Sequence, residues 1–563
     1  MFFNSHFDCL RSYLAFALAL NVFLTNSSPA EAPALDHLFP VGAGIGQTVT
    51  VKAIGKAEPW PPRCWISGDG VVFSPNEKKG EWNVEVASDA KQGPRLVRFF
   101  NEDGASIPRY FIVSQTTGYL ETEPNDHVGE STQIPRLPCL LHGQMESGQD
   151  VDTFKVHLNK GETLVARMDA YVLGSTTDPL MRILDDVNRV LAWNHDSYYL
   201  DPRIAFQAPK TGNYWIQIMG FPYPANSSER LGGGSGYIYR LLLTHQAYVR
   251  TMDLPGNDPN QSLHLHGWNL NKIPGDNAWL SSLELTTDLQ QSLIKATGVS
   301  PEQEPNPSAE TATFLVSHGS GILQHPGDVD WFAFKAEKDR WYRFEIQSAR
   351  LGYPCDLTLK LFDKDQKELK SDDDSATLGD PRIDWKAPAA ETCYLQVTSL
   401  THNGGKDHYY RLTRETKSPS CELSVEASEF NLKPGESTEI KVTIQRDFNH
   451  DSDIKVQATL LPPGVSCSPV FADKTKKSIK LFLHAAPSSQ PFQGELQIVG
   501  VDVDQSNNRY PAGKITVTTS VNNGVPNGYM DQVYRKIDHL WLTVPPRPKP
   551  DPQKEQDDKK IES

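Results

Sequence analysis

Apolar and polar residues alternate in short runs along most of the chain, with the period of two expected of β-strands that bury one face. Val49, Val51 and Ala53 alternate with polar neighbours, and two apolar runs between Leu96 and Ile112 flank the turn Glu102-Asp103-Gly104. Phe154, Val156 and Leu158 point one way, Lys155 and His157 the other. Phe332, Phe334 and Ala336 repeat that pattern, as do Tyr342, Phe344 and Ile346. Ile440, Val442 and Ile444, then Ile479, Leu481 and Leu483, carry it to either side of the turn Leu461-Pro462-Pro463-Gly464-Val465. Helical periods are scarce, and 41 Pro and 39 Gly punctuate the runs. One apolar face per strand is what two packed sheets bury, and 563 residues are too many for one core. The pattern predicts an all-β, multidomain chain of β-sandwiches.

Part of the chain is duplicated. Glu121-Thr122-Glu123-Pro124-Asn125 returns as Glu302-Gln303-Glu304-Pro305-Asn306, and Asp150-Val151-Asp152-Thr153-Phe154 as Asp328-Val329-Asp330-Trp331-Phe332. The run from Asp178 to Asp185 matches that from Asp356 to Asp363, and Asp201-Pro202-Arg203-Ile204 matches Asp380-Pro381-Arg382-Ile383. Ala208-Pro209 before Tyr214 matches Ala387-Pro388 before Tyr394, and Tyr239-Arg240-Leu241 matches Tyr410-Arg411-Leu412. Six matched blocks in one order mark two copies of a module.

The Glu-x-Glu-Pro-Asn entry, the Asp-x-Asp strand start, the leucine-rich strand ending in Asp and the turn before Tyr214 or Tyr394 resemble the bacterial pre-peptidase C-terminal (PPC) domain. That resemblance covers about half of the chain and implies a jelly-roll-like sandwich of secreted proteins, related to collagen-binding domains, in which the entry segment and the Asp-x-Asp region hold calcium. The segment before the first copy is similar to immunoglobulin or TIG-like sandwiches, and the one after the second copy to immunoglobulin-like modules. The expected organisation is a signal peptide over 1–32, an immunoglobulin/TIG-like domain over 35–116 and PPC-like sandwiches over 119–245 and 301–416. Residues 246–300 form a connector or a shortened relative of the first domain. An immunoglobulin-like sandwich spans 420–521, and 522–563 is a C-terminal segment ending in a disordered, Pro-, Lys- and acid-rich tail.

The acids of the entry have a chemistry of their own. Calcium takes roughly six to eight oxygen ligands from carboxylates, amides and backbone. Glu121, Glu123 and Asn125 fall on one side of an extended segment, Asp126 adds an oxygen, and Asp150 and Asp152 close the site from a strand start. The second copy offers Glu302, Glu304, Asn306, Asp328 and Asp330, with Pro307 in place of Asp126, so weaker binding is expected there. A dissociation constant on the order of 10⁻⁴ to 10⁻³ M would suit an extracellular module. The competing reading is a solvated sandwich edge with Asn and Pro setting a turn. Asp363-Lys364-Asp365 and Asp372-Asp373-Asp374 lack the Gly and closing Glu of an EF-hand and read as hairpin turns. His264 and His266 share a strand face but are too few for zinc.

A net charge of −15 without a basic stripe argues against nucleic acid as a partner. Arg11, the apolar stretch from Leu14 to Leu24 and Ala30-Glu31-Ala32 read as a signal peptide, too short for a membrane span, which places the mature protein outside the cytoplasm, secreted or periplasmic or at the cell surface. Six cysteines follow that segment. Cys355 and Cys393 are both absent from the first copy, where Thr177 and Asn213 stand, which predicts a disulfide between them; Cys421 with Cys467 is a second candidate pair. No GxSxG elbow, HExxH helix, P-loop or subtilisin-type signature is present, and Gly232–Gly236 and Ser317–Gly321 lack the context of a nucleophile or phosphate site. The expectation is a non-enzymatic, exported binding or scaffold protein for a polysaccharide, matrix or cell-envelope component. The alternative is an accessory that assists secretion or substrate targeting of a separately encoded peptidase or other hydrolase.

Overall fold

The computed structural model describes residues 31–222, 230–254, 264–273, 295–376, 379–505, 507–519 and 531–547. The signal peptide and the disordered tail lie outside these residues, apart from the ends they share with them. The regular structure of the described chain is almost entirely strand, with a few single-turn 3₁₀ segments. Among the described residues no helix is long and apolar enough to cross a membrane.

The first copy of the repeat forms two five-stranded sheets. One runs in the order Gly118–Leu120, Cys139–Gln144, Ile238–Thr244, Thr163–Asp169, Arg203–Gln207; the other runs Thr132–Gln133, Asp152–Leu158, Gly212–Pro222, Thr177–Leu184, Val190–Asn194. Phe154, Val156 and Leu158 bury against Leu141, Leu164 and Leu241 of the facing sheet, as their alternation requires. The second copy repeats this order place by place, from Val299–Pro301 to Arg382–Lys386 and from Thr313–Phe314 to Glu368–Asp372. Its core holds Phe332, Phe334, Tyr342, Phe344 and Leu395. The matched Asp-Pro-Arg blocks have a structural task. Asp201 accepts the backbone N–H groups of Ala170, Tyr171 and Val172, and Asp380 those of Ser348, Ala349 and Arg350. Each carboxylate thereby caps a 3₁₀ turn, Tyr171–Leu173 or Ala349–Leu351, whose first N–H groups have no partner within the turn.

Before the first copy, a four-stranded sheet and a second sheet ending on Arg63–Ile66 enclose Trp82, Val84, Phe99 and Phe111. Within 246–300, Tyr248–Leu254 lies between His264–Trp268 and Lys295–Thr297 in a three-stranded sheet. In the last unit the strand Leu540–Val544 pairs with Glu429–Asn431 and Phe492–Asp502, and Leu540, Leu542 and Val544 are buried in its core. The core of the unit read as 420–521 therefore extends into the segment that follows. The first and last units also touch. Arg98, fully buried, donates to the carbonyls of Ser106 and His539 and sits over the Trp541 ring, and Trp65 packs edge-on against the same indole.

The expected disulfides do not form: Cys355, Cys393, Cys421 and Cys467 are all free thiols, as are Cys64 and Cys139. Leu357 pairs with Ser399 and Phe362 with Tyr394, so Cys393 lies at one end of the paired strands and Cys355 beyond the other. Five residues of extended strand are on the order of 17 Å, beyond the Cα separation a disulfide spans. The Cys355 sulfur instead lies 3.9 Å from the Asp407 carbonyl and 4.0 Å from that of Tyr409, either of which can accept its single S–H.

His142 gives the first sandwich a pH dependence. It is buried with neither ring nitrogen hydrogen-bonded, and burial, aided by the Arg240 guanidinium, pushes its pKa down to about 3 from 6.5. The neutral ring is favoured in the fold, so this stability is complete above pH 6.5 and is lost as pH falls from there toward 3. The expected loss from His142 is about 2 kcal/mol by pH 5. Melting of the wild type and of His142→Leu from pH 7.5 to 5 checks it: the variant's profile should be flatter, and parallel profiles would refute the assignment.

Candidate metal centre

Each entry segment docks against the start of the Asp-x-Asp strand. In the first copy, carboxylate oxygens of Glu121, Glu123 and Asp152 lie within 4.8 Å of one another; in the second, those of Glu304, Asp328 and Asp330 do so. The Glu121 Oε1 atom accepts from Gln144 N at 2.6 Å, and Asp150 Oδ2 accepts from Glu146 N. The remaining oxygens Asp150 Oδ1 and Asp152 Oδ1 are buried and have no hydrogen-bond partner. An orphaned carboxylate oxygen in a buried setting is costly.

A tyrosine organises each cluster from the facing sheet. The Tyr239 hydroxyl donates to Asp152 Oδ2 at 2.5 Å and reaches Glu121 Oε2 at 3.0 Å. Tyr410 repeats this with Asp330 at 2.5 Å and Glu302 at 3.3 Å. Gly143 and Gly321 open the space for these rings, since a Cβ on either would collide with the tyrosine and with Glu121 or Glu302. Both tyrosines stand in a matched block of the repeat and both glycines occupy equivalent strand positions. That recurrence was the available signal, but it carried no indication of contact with the acids.

The asparagines hold the acids rather than join them. Asn125 is fully buried; its Nδ2 donates to Glu123 Oε1 at 2.9 Å, and its Oδ1 accepts from Thr153 N at 2.8 Å. Asn306, oriented as its neighbours require, donates to Glu304 Oε2 at 3.0 Å and Asp330 Oδ1 at 3.2 Å. Asp126 is exposed and outside the close group. Asp328 is also engaged, accepting from Gln324 N and Val329 N.

The electrostatics are those of crowded carboxylates. Burial raises Glu121 to about 8, and the charges of Glu123 and Asp150 push the same way. Asp152 is raised well above the ordinary range by burial and then by Glu121, and Asp330 to about 9 by burial and then by Glu302. A cation placed among these oxygens would relieve both the repulsion and the orphaned acceptors. The all-oxygen donor set fits a hard ion such as calcium and lacks the nitrogen and sulfur ligands that favour zinc. His264 and His266 supply no such set: the His266 ring packs, tilted by 41°, against Tyr409 with centroids 4.0 Å apart and lies 3.8 Å from Asp253.

No protein-family model and no curated protein matches the chain. Among solved structures, the pre-peptidase C-terminal domain of a Bacillus anthracis collagenase is 17% identical, covering 18% of this chain and 92% of its own, with a TM-score of 0.16. The fibronectin(III)-like modules of Clostridium thermocellum CbhA are 10% identical, over 37% of this chain and 87% of theirs, at 0.13. Tripeptidyl peptidase 2 is 10% identical over 92% of this chain and 40% of its own, at 0.16. At TM-scores this low none of the three decides what this chain does. The strand architecture itself defines an all-β protein of several sheets.

Proposed function

We propose that the chain is an exported, non-enzymatic binding and scaffold protein whose two PPC-like sandwiches take calcium at their entry segments. Its ligand in this reading is an extracellular polysaccharide, matrix or cell-envelope component. The observation that carries the metal reading is the first cluster: three carboxylates within ligand distance of one another, beside two buried oxygens without partners. Glu121, Glu123, Asp150 and Asp152 would hold the ion, with Asn125 and Tyr239 positioning them. The bound ion would tie the entry segment to the Asp-x-Asp strand and stiffen the joint with the preceding unit. The second copy is the weaker site, because Asn306 already donates to Asp330 Oδ1 and both oxygens of Asp328 accept backbone N–H groups.

Calcium titration followed by thermal melting tests this. With a dissociation constant on the order of 10⁻⁴ to 10⁻³ M, about 10 mM calcium stabilises the occupied sandwich by about 1.4–2.7 kcal/mol, a rise in Tm of several degrees. Asp152→Asn should remove most of this rise while magnesium at the same concentration gives little. An unchanged melting curve at millimolar calcium would refute the metal reading.

A further inference from the structure

The two copies share a fold but differ on the outer face of the sheet that holds the Asp-x-Asp strand. Directly opposed residues share a sheet face, as do residues two apart on one strand. Trp193 lies opposite Arg182, Leu180 opposite Met219 and Asp178 opposite Phe221, so these side chains share one face with His195. Trp193 is 61% exposed on an edge strand, and Phe221 is exposed beside the same face. In the second copy, strand register puts Ser371 where the first has Trp193, Thr358 for Leu180, Thr398 for Met219 and Leu400 for Phe221; Asp373 follows where His195 stands. The second sandwich buries an equivalent core with this more polar face. Folding therefore does not require the aromatic character of the first.

The platform has a defined shape. The Trp193 and His195 rings lie 5.7 Å apart and only 5° from parallel, and His195 Nδ1 is 2.7 Å from Asp196 Oδ2, which fixes the ring. The two rings are stacked in parallel planes, so the pair offers a flat outer ring face, whereas a site for a quaternary or methylated cation encloses its guest with rings at steep angles. Asp178 and Asp196 beside the rings accept hydrogen bonds from hydroxyl groups, and Arg182, opposite Trp193, can donate to them. A flat apolar surface rimmed by hydroxyl acceptors matches the C–H face and equatorial hydroxyls of a pyranose.

We propose that the outer face of the first sandwich, centred on Trp193 and His195, is a stacking site for a neutral polysaccharide; this deepens the reading of the chain as a binding protein and rests on it. The test uses the full chain with calcium present, in pull-downs on cellulose and chitin and in affinity gels containing xylan or mixed-linkage β-glucan. The variant Trp193→Ser/His195→Asp installs the residues with which the second sandwich already folds, and an unchanged melting curve confirms that it is intact. The expected result is retention of the wild type on at least one glycan, weakened about tenfold or more in the variant, as loss of a main contact worth about 1.4 kcal/mol would give. Equal retention of variant and wild type would overturn the site, as would failure of the wild type to bind any of these glycans. Calcium melting in the same buffer separates that outcome from failure of the metal-dependent module itself.

Discussion

Replacing Arg411 with alanine is expected to destabilise the second sandwich and its joint with the 246–300 segment by about 3–5 kcal/mol, the cost of leaving a buried ion without its partner. Arg411 and Asp253 are each about 1% exposed. The guanidinium donates twice to Asp253 Oδ1 at 3.0 Å, to Gln347 Oε1 at 3.2 Å and to the Met252 carbonyl at 3.3 Å. Tyr409 donates to the other oxygen of Asp253 at 2.7 Å. These bonds join the strand Tyr248–Leu254 to the strand Tyr409–Lys417, so they hold two units together. Removing both charges, as in Arg411→Met/Asp253→Leu, should recover most of the loss, because the desolvation of the pair disappears with it. Urea unfolding of the two single variants and the double variant measures the coupling. A loss below about 1 kcal/mol for Arg411→Ala would place the pair among weak surface bridges and refute the assignment.

The repeat makes this prediction more specific. Arg240, the counterpart of Arg411, is also buried, and it donates to Ser114 Oγ at 2.6 Å at the end of the unit that precedes the first sandwich. The same arginine of each Tyr-Arg-Leu block thus reaches back to the unit that precedes its own module. Sequence could show that the blocks recur, since recurrence is one-dimensional, but the target of each arginine lies more than a hundred residues away in the chain.

What was readable from sequence follows the same division. Alternation over Phe154 to Leu158 and Phe332 to Ala336 gave the all-β class because a strand's two faces are written in adjacent residues. The meeting of Glu121 and Glu123 with Asp152 was also legible, as both segments open matched blocks. An amide oxygen can bind calcium, which makes Asn125 a ligand candidate in sequence; the fold spends that oxygen on Thr153 N. The role of Tyr239 has no signature in sequence because the ring reaches Asp152 only when the two sheets close face to face. The paired absence of Cys355 and Cys393 from the first copy was real but carried no distance, and strand register separates them.

Gly143→Ala should damage the first sandwich and its acid cluster together. A Cβ at this position would lie 2.1 Å from Tyr239 Cζ, 2.2 Å from its hydroxyl oxygen and 2.6 Å from Glu121 Oε2. Tyr239 is fully buried and its hydroxyl is held by Asp152 and Glu121, so the ring has no free direction in which to yield. Overpacking of this kind costs about 1–3 kcal/mol, and surrender of one buried hydrogen bond adds about 0.5–1.5 kcal/mol. Displacing Tyr239 also releases the two carboxylates it aligns, so the calcium-induced rise in Tm should shrink together with the stability. Gly212→Ala is the matched control: it also lies in a strand of this sandwich, yet a Cβ there meets nothing within 4 Å. Thermal melting with and without calcium should show Gly143→Ala depressed on both counts and Gly212→Ala close to wild type. If Gly143→Ala instead melts and responds to calcium like the wild type, the tyrosine does not organise the acids, and the clamp must be held by the entry segment alone.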